Sequence, residues 1–274
     1  MPTVTTFLSI INQMLPEPHA GLLAGILFGT KATLSRDLYN ALVTTGTLHI
    51  VALSGMNITI LESLVGVSLL RFFSKRVTSV LTIVVIIGFV WFVGVSASVI
   101  RASIMGSLAL LAVIFGKQTW SFYSFFITVG IMLLIHPAWI SDISFQLSAG
   151  ATLGIILFGG KSAKIIEKNG RLWIFRYLYS FIQDDLRVTL AAQVFTIPLI
   201  FFTFHRISLV SPLTNILIGW TIAPLTAVGL IAVLLGWMWL PLGYVGGWVA
   251  WTFLEYLIFV IVWTAKIPFA SLGW

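Results

Sequence analysis

The segment that most constrains the fold of this chain is 46–60, with the sequence GTLHIVALSGMNITI. It is apolar enough to lie in a membrane, yet it contains His49, Ser54 and Asn57, with Gly55 among them. A glycine costs a helix interior about 1 kcal/mol relative to alanine, and polar side chains are expensive in lipid. We therefore predict a membrane segment that is broken near Gly55 and turns its polar side chains toward a protein interior or a path.

The rest of the chain is also strongly apolar: 59% of its 274 residues are hydrophobic and 8% are charged, against about 25% charged in an average soluble domain. This composition predicts an all-α, polytopic membrane protein with about eight transmembrane helices plus re-entrant and interfacial amphipathic helices. The predicted spans are 46–70, 79–94, 97–115, 120–135, 142–159, 186–204, 213–236 and 244–264.

Two segments do not fit a simple span. Segment 19–29 is too short to cross a bilayer, so we predict a re-entrant helix, and its glycines at 21, 25 and 29 form a ridge suited to close helix packing. Residues 160–185 interleave basic and apolar side chains, which predicts an amphipathic helix at the cytoplasmic interface. Residues 1–14 lack the basic stretch and cleavage site of a signal peptide.

The basic residues predict the orientation. Arg71, Lys75, Arg76, Lys117 and the basic residues of 161–187 fall on one side when eight spans alternate. The positive-inside rule makes that side cytoplasmic, so residues 1–45 form an outer-side segment. The net charge of +7 is explained by this rule better than by a nucleic-acid footprint.

Two ionisable residues fall inside or beside apolar spans. Glu62 shares a helix face with Ser54 and Asn57 if the helix restarts at Gly55; this face is either a polar lining or a packing kink with satisfied hydrogen bonds. Arg101 is a permanent cation suited to phosphate or carboxylate. It either points inward, with Glu62 or Asp142 as its partner, or anchors outward at the interface.

Three further polar residues lie in predicted spans: Gln146, Gln193 and Asn215. For these, hydrogen bonds between packed helices are favoured over ligand contacts. Asp142 is a natural helix N-cap before Gln146. The chain has no cysteine and no hydrolytic or metal-binding motif, so we expect no catalytic residues, no metal site and no cofactor, and we do not expect an enzyme.

Several of these blocks, in this order, resemble the membrane channel domain of the ComEC competence-protein family. The matching pieces are LPEP at 15–18 with the glycine ridge, TGTLHIVALSGMNITI at 45–60, Arg101-Ala102, DISFQLSAGATLG at 142–154, and 192–215. The His-x-x-Ala-x-Ser-Gly-x-Asn block is the most specific of them. The resemblance covers most of the chain, so residues 1–274 are interpreted as a single competence-type membrane channel domain.

The resemblance implies a channel that moves single-stranded DNA across the inner (cytoplasmic) membrane in natural transformation. Its candidate lining residues are His49, Ser54, Gly55, Asn57, Glu62, Arg101, Gln146, Gln193 and Asn215. The partners implied are the lipid bilayer, a second copy of the chain in a homodimer, and a separate DNA receptor, helicase and nuclease. The alternatives are a small-molecule or ion transporter of the inner membrane and, less favoured by the residues, an intramembrane enzyme acting on lipid.

Overall fold

The computed structural model describes residues 3–30, 34–51, 53–160, 173–204 and 206–273. These residues form an all-α protein, as predicted, with two three-residue strands in addition. The helices are α1 Val4–Met14, α2 His19–Phe28, α3 Arg36–Thr44, α4 Gly55–Leu69, α5 Lys75–Val93, α6 Ala97–Ile114, α7 Ser121–Ile135, α8 Ile143–Phe158, α9 Trp173–Phe204, α10 Ser211–Met238 and α11 Leu240–Ala265.

Each of the eight predicted spans overlaps one α-helix, and several of these helices are apolar and long enough to cross a membrane, as in a multi-pass membrane protein. Within the described ranges, five helical stretches are long and apolar enough to cross a membrane: 75–93, 97–114, 186–203, 211–238 and 240–265. The helices α4, α7 and α8 are apolar but have only 15 or 16 residues, short of the roughly 20 that a bilayer needs. The count of eight spans therefore stays a prediction.

The long hairpin of α10 and α11 holds the largest part of the core. Its two helices approach so closely that a Cβ on Gly243 would lie 2.5 Å from the Cα of Gly236 and 2.6 Å from the sulfur of Met14. All ten residues of α2 are buried, and Leu23 packs over Gly229 in the middle of α10. Small residues in the hairpin thus make room for the N-terminal helices.

The N-terminal segment up to Gly46 contacts this hairpin at both ends. Met14, at the end of α1, contacts Gly236 and Gly243, whereas Gly46 lies against Ser211 at the opposite end of α10. The predicted short helix at 19–29 is confirmed as a helix of ten residues. The outer-side location of 1–45 and the re-entrant character of α2 stay predictions.

The open ends of the hairpin are joined by the two short strands. Strand β1 (Arg206–Ser208) pairs antiparallel with β2 (Ser271–Gly273), with Ile207 opposite Leu272. The backbone N–H of Leu209 also donates to the carbonyl of Ala270 at 2.9 Å. This pairing fixes the segment before α10 to the segment after α11.

Helices α4 to α9 pack as a second group beside the hairpin. Helix α4 lies against α6, and α8 lies against α9 so closely that a Cβ on Gly154 would overlap the carbonyl oxygen of Ala191. Of the predicted interfacial segment 160–185, residues 161–172 lie outside the described residues, and residues 173–185 are the first turns of α9. Large side chains such as Trp91 and Leu134 are 80% and 85% exposed, as expected for lipid-facing positions.

Candidate functional site

Between α3 and α4, the described residues 45–51 and 53–54 are not helical apart from one 3-10 turn at Leu48–Ile50. This segment turns at Gly46, whose φ of +68° favours glycine. The hydroxyl of Thr45 donates to the carbonyl of Ala41 at 2.8 Å and lies 2.8 Å from the hydroxyl of Thr47. Both threonines are fully buried, so short side chains replace part of the missing helical hydrogen bonding.

This segment packs against α2 at positions where glycine leaves room for a neighbouring side chain. The side chain of Val51 fills the space beside Gly25, and Leu53 covers Gly29, which ends α2 with a φ of +73°. Gly25 and Gly29 of the ridge are therefore used for close packing, as predicted, but their partner is an irregular segment and not a helix. Irregular backbone inside a membrane domain is tolerated where protein buries it or where it lines a wet cavity.

The predicted break near Gly55 is confirmed, while the prediction of helix before the break is wrong. Helix α4 begins at Gly55, with Ser54 in the N-cap position, and His49 lies in the 3-10 turn. The reason is tertiary: Val51 and Leu53 gain burial against α2 that a continuous helix would not provide. Local periodicity does not report such a contact.

The start of α4 lies against Arg101 of α6. A Cβ on residue 55 would be 3.1 Å from Nη2 of Arg101 and 3.0 Å from the Cβ of Ala102. Glycine at this position therefore serves close approach as well as the helix start. The first N–H groups of a helix carry partial positive charge, so a guanidinium beside them concentrates positive potential at this point.

The guanidinium of Arg101 reaches across to α8. Its Nη1 donates to the carbonyl of Ser148 and to the hydroxyl of Thr152, while its Nε is buried without a hydrogen-bond partner. The predicted ion pair of Arg101 with Glu62 or Asp142 is wrong, since no such pair occurs among the described residues. The guanidinium is directed at neighbouring helices, which also disagrees with the alternative of an outward anchor.

The two acids proposed as partners have other positions. The carboxylate of Asp142 caps α8 by accepting from the backbone N–H of Ser144 at 3.0 Å, as its sequence position predicted. The carboxylate of Glu62 faces Gly106, where a Cβ would lie 3.0 Å from Oε2. Gly106 lies more than one helical turn beyond Arg101 on α6, which separates Glu62 from the guanidinium contacts.

Asn57 has a structural contact. Its side chain is 3% exposed, and its Nδ2 donates to the carbonyl of Ile26 at 2.6 Å. Ile26 lies in the last turn of α2, where helical carbonyls lack intrahelical partners. Of the two alternatives for this face of α4, satisfied packing describes Asn57 better than a lining does.

His49 lies near the beginning of α10. Its Nδ1 is 3.1 Å from the carbonyl of Gly46, and its side chain is exposed. Gly46 in turn contacts Ser211, whose hydroxyl lies 3.4 Å from Nδ2 of Asn215. Three predicted residues, Ser54, Gly55 and Arg101, therefore belong to an Arg101 cluster that also contains Ser148 and Thr152. Two others, His49 and Asn215, belong to a Gly46 cluster that also contains Gly46 and Ser211.

Four predicted residues lie outside both clusters: Asn57 and Glu62, described above, and Gln146 and Gln193. Gln146 is half-buried and donates to the carbonyl of Ile140 at 2.8 Å, in the turn just before its own helix. Gln193 is half-buried in α9. The hydrogen bond of Gln146 is local and fixes the start of α8.

Sequence reasoning missed four residues that the structure makes prominent. Ser148 and Thr152, four residues apart on α8, accept from Arg101. His19 and Glu255 are joined by a hydrogen bond, with 2.6 Å between Nε2 and Oε2. The signal for Glu255 was visible, because it is the one acidic residue within the predicted span 244–264.

Comparison with known proteins places these features in a family context. The sequence model of the family described as Competence protein matches residues 26–274. The chain is 23% identical over 211 residues to ComE operon protein 3 of Bacillus subtilis (strain 168). This match covers 77% of the present chain and 26% of the relative, so the chain spans about a quarter of that protein's length. No solved structure matches the chain significantly.

Proposed function

This chain belongs to the competence protein family, and on that basis we propose that it moves single-stranded DNA across the inner membrane in natural transformation. The proposal assigns the chain the role of a membrane channel without catalytic activity of its own. A separate DNA receptor, an ATP-driven helicase and a nuclease supply the remaining steps, and two copies of the chain assemble into a homodimer. The relative's much greater length leaves room for such functions outside the segment matched here.

The observation that supports this proposal most strongly is the Arg101 cluster. A guanidinium in an apolar helical bundle is costly to bury, and such residues mark substrate or ion pathways more often than they serve packing. Here the cation lies beside the start of α4, keeps one buried N–H group free, and has neutral oxygen partners on α8. It is not neutralised by a carboxylate in its hydrogen-bonded shell.

Such a cation suits a phosphate group of a passing strand. Arginine presents several donors in a planar fork that matches phosphate oxygens, and the N-terminus of α4 adds favourable partial charge. Conduction requires contacts that are strong enough to admit the strand and weak enough to release it. One guanidinium shared with hydroxyl and carbonyl oxygens satisfies that requirement better than a dense basic patch.

The experiment that tests the proposal uses a strain in which the gene is deleted, complemented with variants of the full chain. Wild type will restore entry of labelled DNA into the cytoplasm, and Arg101→Leu will not, at equal protein level in the membrane. Arg101→Lys keeps the charge and will retain partial uptake because it loses the planar fork. Leu134→Ala, on an exposed face of α7, is the matched control and will behave as wild type.

Two results would contradict the proposal. Normal DNA entry in the deletion strain would exclude the chain from uptake altogether. Normal DNA entry in the Arg101→Leu strain would show that the Arg101 cluster does not line the DNA path. The family assignment would then stand without an identified DNA-contacting site.

A further inference from the structure

A groove opens between the short helix α3 and the last turns of α11. Its volume is about 390 Å³, which lies within the range of about 300–1,000 Å³ that is usual for small-molecule sites. Ile258, Val262 and Ala265 line it at positions i, i+4 and i+7, so they share one face of α11. Leu38 and Ala41 of α3 also line it. Both helices therefore contribute apolar side chains to the groove.

The α11 side of the groove runs from the end of a membrane-spanning helix toward its middle. Lys266 is the C-cap of α11 and is exposed, as expected for a charged residue that ends a span at the membrane surface. Ile258 lies about 12 Å further along the helix axis, at 1.5 Å per residue. Phe259 and Trp263 of the same helix are 64% and 54% exposed, as expected for lipid-facing positions. The groove therefore lies beside a lipid-facing surface and extends from headgroup depth into hydrocarbon depth.

Two charges of opposite sign line the groove: the carboxylate of Asp37 and the ammonium of Lys266. Both side chains are exposed, and neither forms an ion pair with another residue that the structure describes. Among the described residues, no other charged side chain lines the groove, so these two charges cancel. A zwitterionic ligand without net charge therefore matches the groove better than an anion or a cation does.

Neutral polar groups of α3 complete the lining. Ser35, the N-cap of α3, lines the groove together with Asn40 and Thr44. Each of these side chains has an oxygen that accepts hydrogen bonds, as the carboxylate of Asp37 does. A primary ammonium offers N–H donors to such oxygens, whereas a quaternary ammonium offers none. The α3 side of the groove therefore favours a cationic group that carries N–H bonds.

We propose that this groove binds a zwitterionic phospholipid whose headgroup carries a primary ammonium, as in phosphatidylethanolamine. The ammonium pairs with the carboxylate of Asp37, and the phosphate pairs with the ammonium of Lys266. Part of an acyl chain lies along Ile258 and Val262. The site is separate from the Arg101 cluster and does not depend on the proposed DNA transport.

Photo-crosslinking of the full chain in lipid vesicles tests the site. The vesicles consist of phosphatidylcholine and a small fraction of one probe, a phospholipid with a diazirine in its acyl chain and an ethanolamine, choline or glycerol headgroup. Mass spectrometry of peptides compares adducts on residues 258–266 with adducts on residues 122–134 of α7, whose exposed apolar face reports bulk lipid. Relative to α7, we expect the ethanolamine probe to label 258–266 about 2-fold to 5-fold more than either other probe, as for an exposed ion pair.

Two variants each remove one charge from the groove at an exposed position. Asp37→Asn and Lys266→Gln will both abolish the preference for the ethanolamine probe. They differ toward the anionic glycerol probe: Asp37→Asn will increase its labelling because a repelling carboxylate is gone, whereas Lys266→Gln will not. Arg36→Gln is the matched control, since Arg36 is exposed on the same helix but does not line the groove; it will label as wild type does.

The headgroup dependence decides the outcome. If the three probes label residues 258–266 equally relative to α7, this surface meets bulk lipid only, and the proposal is overturned. The proposal also fails if Asp37→Asn and Lys266→Gln retain the ethanolamine preference of Arg36→Gln, because the charges of the groove then do not select the headgroup.

Discussion

Replacement of Asn57 by alanine distinguishes a structural from a path-lining role for this residue. Helix α2 ends at Phe28, so the carbonyls of its last turn have no continuing helix to bond with. The backbone N–H of Gly29 donates to the carbonyl of Gly25 at 2.8 Å, and Nδ2 of Asn57 donates to the carbonyl of Ile26 at 2.6 Å. The alanine variant leaves the Ile26 carbonyl unpaired in the protein interior.

The magnitude follows from burial. Because Asn57 is 3% exposed, water does not readily replace the lost amide. An unsatisfied buried acceptor costs about 1–3 kcal/mol, and the deleted amide leaves a small cavity that adds to this. At about 1.4 kcal/mol per factor of ten, the unfolding equilibrium constant in detergent will rise roughly 5-fold to 150-fold.

The matched control is Gln146→Ala. Gln146 also donates an amide N–H to a backbone carbonyl, Ile140 at 2.8 Å, but it is only half-buried. Water can solvate the freed carbonyl there, so we expect a loss of about 0.5 kcal/mol or less. Equilibrium unfolding in detergent measures both variants. If Asn57→Ala is as stable as wild type but no longer supports DNA uptake, the structural role is refuted and Asn57 is instead a residue that lines the DNA path.

Three further predictions concern substitutions of glycine by alanine, and all use the same unfolding assay. Gly25→Ala will destabilise the protein by about 1–3 kcal/mol because its Cβ would overlap Val51; Val51→Ala in the same chain will recover most of this, and no recovery would contradict the packing. Gly154→Ala will destabilise by at least as much, since the overlap is with the carbonyl of Ala191, which cannot turn away. A Cβ on Gly130 would meet no described atom within 4 Å, so Gly130→Ala will be neutral or will stabilise the protein by up to about 1 kcal/mol. If Gly130→Ala destabilises the protein, steric overlap does not explain the losses at Gly25 and Gly154.

Local signals in the sequence located two of the helix starts. Asp142 before an apolar run predicted the cap of α8, and Gly55 predicted the start of α4. Each of these depends on a residue type with a strong positional preference, acting within one helical turn. Such signals do not depend on the rest of the fold.

The candidate site was less predictable because its contacts are distant in sequence. The carbonyl partner of Arg101 is 47 residues away and the carbonyl partner of Asn57 is 31 residues away. Charge complementarity indicated an acid for Arg101, but the geometry of α8 brings the Ser148 carbonyl and the Thr152 hydroxyl closer. The absence of an α-helix in residues 46–51 likewise depends on the burial of Val51 against Gly25, which belongs to another helix.

The central claim is that a DNA strand passes the Arg101 cluster, and photo-crosslinking tests it most directly. A photoreactive amino acid replaces Ser54, the residue before Gly55 at the start of α4, or Leu134, which is 85% exposed on α7, and cells are irradiated while they take up labelled DNA. The account predicts a protein–DNA adduct from position 54 and none from position 134. No adduct from position 54 in cells that import DNA normally, or equal adducts from both positions, would contradict it.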